Sequence, residues 1–121
     1  MKLKVSQLIE MNVPLRRLAE CALPAAASFK VSQVMRKLID PINAAIMERD
    51  KLIMKHGRQI PGTESYQVLD TKMDSFRAEL VPLLDMEEDV AIEPIPLSLI
   101  ADAKLSALDM AALEPLVNGA E

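Results

Sequence analysis

A chain of 121 residues has room for one domain and one core. Half of it is apolar, yet Tyr66, Phe29 and Phe76 are its only aromatic residues, so aliphatic side chains and eight Met must fill the interior. One Cys and one His exclude a disulfide framework and any acid–base pair or metal cluster that needs two histidines. The formal net charge of −4 is uneven: residues 1–60 carry eleven Lys/Arg against five Asp/Glu (+6), and residues 61–121 carry three against thirteen (−10).

Lys2-Leu3-Lys4-Val5 alternates polar and apolar, which predicts a short strand within 1–5. Met1 to Pro14 mixes charged and polar groups, so it does not read as a secretory leader. Leu8, Met11, Leu15, Leu18 and Ala22 step by three and four, the stripe of a helix over 6–22 capped by Ser6 and interrupted by Pro14. Leu23-Pro24 ends it, because the residue before proline is pushed out of the α region. Cys21 beside this stripe reads as a buried structural thiol.

A long helix is predicted over 26–56, kinked at Pro41, with Val31, Val34, Met35, Leu38, Ile42, Ile46 and Ile53 facing inward. Gly57 reads as its C-cap, with Lys55, His56 and Arg58 as cations at the negative end of the helix dipole. Gln59 to Ser65, with Pro61-Gly62, is a loop. Thr63 or Ser65 can then cap a helix over 65–86, striped by Leu69, Met73, Phe76, Leu80 and Leu83. So short a loop makes the two helices an antiparallel hairpin. Leu38, Ile42, Ile46, Leu69, Met73, Phe76 and Leu80 form its predicted core.

Asp85-Met86-Glu87-Glu88-Asp89 is an acidic run at a helix end, without the spacing of a calcium loop. Val90-Ala91-Ile92 opens an extended segment over 90–100, and Leu3–Val5 is its expected strand partner, in the same chain or across a dimer. A short helix over 106–117 starts at Ser106, whose relation to Asp109 resembles a capping box. Pro115 and Gly119 suggest a frayed tail. The expected fold is mainly α: a long antiparallel helical hairpin, a packed N-terminal helix and a minor two-stranded or extended β element, in one domain over 1–121.

The order of these features resembles a family of small proteins encoded by tailed phages and prophages. The likeness runs through Met1–Leu8, the helix end at Leu23-Pro24, Arg49-Asp50-Lys51-Leu52-Ile53-Met54-Lys55-His56-Gly57 and Phe76-Arg77-Ala78-Glu79-Leu80-Val81-Pro82-Leu83-Leu84. It continues through Val90-Ala91-Ile92, Leu105-Ser106-Ala107-Leu108-Asp109 and Leu113 to Val117. The resemblance implies an assembly factor or virion adaptor, or else a modulator of a host protein, placed in the host cytoplasm or the virion.

The residues themselves point to recognition and away from catalysis. No Gly-rich phosphate loop is present, no cofactor or metal is expected, and no apolar run approaches the roughly 18 residues that cross a membrane. Nucleic acid is disfavoured, because stacking aromatics are scarce and the chain is acidic overall. The expected partner is a protein, of phage or host, or a second copy. Its expected contacts are the charged ends of the hairpin: Asp85, Glu87, Glu88 and Asp89 on one side, Arg49, Lys55 and Arg58 on the other. The alternative use of these charges is cancellation inside the monomer.

Overall fold

The computed structural model describes residues 1–118. Its elements in order are β1 (Lys2–Lys4), α1 (Val5–Glu20), α2 (Ala25–His56), β2 (Gly57–Gln59), β3 (Tyr66–Val68), α3 (Met73–Asp85), β4 (Glu87–Asp89), β5 (Ile95–Pro96), α4 (Ala107–Leu113) and β6 (Val117–Asn118). Short 3-10 turns cover Asp70–Lys72, Leu97–Ile100 and Glu114–Leu116. The fold is mainly α, with α2 packed on the N-terminal helix.

Helix α1 starts one residue before the expected cap. Gln7 Oε1 accepts the Lys4 backbone N–H at 2.8 Å, so Gln7, not Ser6, satisfies the helix start. The helix runs unbroken through Pro14 and buries Leu8, Met11, Pro14, Leu15 and Leu18. Helix α2 likewise continues through Pro41 for 32 residues, about 48 Å at 1.5 Å per residue. Ala27, Val31, Val34, Leu38, Ile42 and Ala45 step by three or four along its buried face. Beyond Ala45 the only buried residue of α2 is His56.

One core cluster results, and its members come from both ends of the chain. Leu3, Leu8, Met11, Leu15 and Leu18 meet Val31, Val34, Leu38, Ile42 and Ala45, and are closed over by Val90, Ile95, Ile100, Leu113 and Leu116. Of the predicted core, Leu38 and Ile42 belong to it and Ile46 packs at its margin. Leu69, Met73, Phe76 and Leu80 are only half-buried, and α3 has no buried residue. Around Pro115 the chain is packed and not frayed: Leu113 and Leu116 are buried and β6 pairs in parallel with β5, Ile95 opposite Val117. Gly119 lies outside the described residues.

The N-terminal strand finds an acidic partner. β1 pairs antiparallel with β4, setting Lys2 opposite Asp89 and Lys4 opposite Glu87. The last three residues of the acidic run, Glu87–Asp89, are therefore a strand, and the regular ladder lies just before the expected Val90–Ile92. Backbone bonds Val90 N to Met1 O (2.8 Å) and Val5 N to Met86 O (2.9 Å) extend the pairing at either end. Glu and Asp are poor strand formers, but opposite charges directly across a ladder favour pairing.

The predicted 65–86 helix is shorter than expected because the chain first makes a hairpin. β2 and β3 pair antiparallel, with Gly57 opposite Val68 and Gln59 opposite Tyr66. Thr63 is spent in the turn, where its hydroxyl and its N–H both donate to the Ile60 carbonyl. Gly62 takes φ +79° there, which favours glycine. Gly57 caps α2 in an extended conformation and is needed for space. A Cβ on it would sit 2.3 Å from the Gln67 carbonyl oxygen and 2.6 Å from that of Ile53.

Candidate functional site

Residues 46–86 form a lobe built unlike the rest of the molecule. No hydrophobic residue in it is buried. Of the ten large apolar side chains exposed among the described residues, six fall here: Met47, Met54, Ile60, Tyr66, Val81 and Met86. A helix holds its place by burying a face, and α3 buries its inner stripe only in part. Its outer face is also apolar at the centre, where Ala78, Val81 and Pro82 are exposed and Met86 follows the last turn.

A polar clasp holds the lobe to the end of α2. Glu79 on α3 accepts a hydrogen bond from Lys55 Nζ at 2.6 Å and also bonds His56 Nε2. His56 is not solvated at the helix end: it is buried, and its ring meets Phe76 edge-on with centroids 6.1 Å apart and planes at 68°. The Glu79 carboxyl is held below its ordinary value of 4.5, chiefly by the Lys55 hydrogen bond and then by that of His56. The lone His signalled only a helix end in the sequence. Its role depends on Phe76 and Glu79, which lie 20 or more residues away.

The charged residues singled out in the sequence separate into two places. Lys55 joins the clasp, Arg49 pairs with its neighbour Asp50 at 3.2 Å, and Arg58 lies exposed on β2. Glu87, Glu88 and Asp89 form β4 against the basic β1, and Asp89 lies 3.3 Å from the Met1 nitrogen. Asp85 ends α3 exposed and takes part in no ion pair among the described residues. Across the two halves, Arg17, Lys30 and Lys55 pair with the acids Asp109, Glu93 and Glu79, and the uncovered feature is the apolar lobe.

Three further features lie outside the lobe. Arg17 Nη1 donates to the buried Asp109 Oδ1 at 2.9 Å, tying α1 to α4. Ser106 Oγ caps α4 by accepting the Asp109 N–H at 3.1 Å, while the Asp109 carboxylate turns to Arg17 and does not complete a capping box. An open groove of about 690 Å³ runs between α2 and residues 91–93, lined by Lys30, Gln33, Val34, Arg36 and Lys37. Lys37 Nζ donates to the Ala91 carbonyl at 2.7 Å, and Lys30 lies 3.9 Å from Glu93, so two of its three cations face partners within the chain. Cys21 is half-buried just past α1, its Sγ 3.3 Å from the Arg17 carbonyl oxygen.

Among the described residues no three His, Cys, Asp or Glu come together as a metal site, and no helix is long and apolar enough to cross a membrane. Comparison with family models, curated proteins and solved structures gives no match.

Proposed function

We propose that this chain is a protein–protein interaction module whose docking surface is the uncovered face of the 46–86 lobe. The observation that supports this most is α3, a 13-residue helix with no buried residue and an apolar outer centre, Val81 being 55% exposed and Met86 59%. A helix so placed lacks one packing layer, and a partner supplies it. Asp85, Arg49 and Arg58 stand in the same lobe, with Glu87 to Asp89 next in the chain, as a polar rim that orients a partner more than it adds affinity. The resemblance to small phage and prophage proteins gives the setting: an assembly factor or virion adaptor, with a host-directed regulator as the alternative.

Tagged chain expressed in a phage-bearing host tests the surface and the setting together. Capture of particles or morphogenetic proteins marks the assembly role, and capture of one host protein marks the regulator. Val81→Lys combined with Met86→Lys abolishes either capture while the circular dichroism spectrum stays helical. Capture that survives the double change removes the lobe face from consideration.

A further inference from the structure

We infer that the outer face of α3 docks on the same face of a second copy of this chain. This rests on the proposed docking surface and names its occupant. Arg77, Val81 and Asp85 are all exposed and follow one another at i, i+4 and i+8, a single ridge along the helix. The ridge reads cation, apolar, anion. Turned end for end about a twofold axis at Val81, it is its own complement: Arg77 of each copy meets Asp85 of the other, and the two Val81 side chains meet at the centre. A twofold interface requires this reciprocity, residue i on j and j on i. A ridge with one charge sign at both ends would repel its own copy.

The charges are free for this use. Neither Arg77 nor Asp85 takes part in an ion pair among the described residues, whereas Lys55, Glu79, Arg17, Asp109 and Arg49 all do. Asp74, the other exposed acid on this side of the helix, lies seven residues before Val81 and so off the i, i+4 ridge, and Glu88 follows the helix in β4. The lobe carries six Lys/Arg against seven Asp/Glu, a balance of −1, so two lobes approach with little mutual repulsion. Ala78, Pro82 and Met86 flank Val81 and supply the apolar area that the charges orient.

Sedimentation velocity of the full chain over a concentration series reads the association directly. The wild type forms a dimer. Arg77→Asp places two acids at each contact and Asp85→Arg places two arginines there, so each variant alone weakens the dimer by about tenfold or more. An equimolar mixture of the two variants restores association, because a mixed pair sets one acid against one arginine at both of its contacts. Val81→Lys is monomeric, with helix content unchanged. A wild type that stays monomeric, or a mixture no tighter than its components, overturns the inference. If the wild type is monomeric yet Val81→Lys still abolishes capture of another protein, the docking surface stands and the second copy is the wrong occupant. If Val81→Lys alters neither, both readings fall.

Discussion

Helix α2 passes through two regions that hold it by different means. From Ala27 to Ala45 it is gripped on one face by α1 and by the C-terminal segments, through side chains such as Leu38, Leu15 and Leu113 that lose nearly all contact with water. From Ile46 to His56 it is flanked by α3 and the β2–β3 hairpin, where apolar contact is partial and the most definite bonds are those of Lys55 and His56 to Glu79. The same helical periodicity runs through both. What separates them is how many layers cover the stripe, and that depends on segments far away in the chain. A region held by partial burial and a polar clasp is weakly stabilised, and such regions are where binding surfaces are found.

The widest gap between the regions lies in core truncation. Leu38→Ala, at a site with no solvent exposure, costs about 3–4 kcal/mol in urea unfolding, whereas half-buried Phe76→Ala costs about 1–2 kcal/mol. Equal costs would erase the distinction. Gly57→Ala comes next, at about 2–3 kcal/mol, because its Cβ meets two backbone oxygens that cannot move aside separately. Its signature is regional: amide exchange quickens in residues 46–86 and stays slow at Leu15 and Leu38. Uniform quickening would mean that the lobe and the core unfold as one.

Arg17→Met probes the other side of the comparison. It leaves the buried Asp109 carboxylate without its ion-pair partner and costs about 1–2 kcal/mol, a buried-pair value discounted because Arg17 is 59% exposed. Amide protection in the lobe should be unaffected. The smallest effect is a pH dependence confined to the clasp. Glu79 titrates below its ordinary value when folded, so it adds stability that is complete above that value and is lost as pH falls through the lowered folded one. Glu79→Gln removes this acid-range loss in lobe protection. A pH response in the lobe that is the same with and without the carboxyl would assign it to another group.

Periodicity made α1 and α2 readable, since Leu8 to Leu18 and Val31 to Ile42 step at helical spacing and bury as expected. The stripe Leu69 to Leu83 has the same spacing, yet it stays half-covered, because period identifies an inward face without saying what lies against it. The segments that do cover the core were hard to read. Ile95 and Ile100 sit among prolines, and Leu113 and Leu116 span a helix end, so neither pair shows a repeat. The β2–β3 strands are three residues each and do not alternate. β4 runs against strand propensity, and only the two lysines of a strand more than 80 residues earlier make sense of it. The candidate surface is legible in part: Asp85 stands out by its charge, while nothing in a linear reading says that Arg77 and Val81 share with it a helix face left bare.

The β1–β4 ladder also sets an order of events during synthesis. Residues 2–4 are made first, but their partners at 87–89 follow more than 80 residues later. At about 5–20 residues per second the wait is on the order of 4–17 seconds. Once α2 has been made, Leu3 and the stripe of α1 have it to lean on but not Val90, Ile95, Leu113 or Leu116. The nascent chain therefore carries a half-covered α1–α2 pair until residues 90–116 have been made, and through that interval its apolar stripe is open to other contacts.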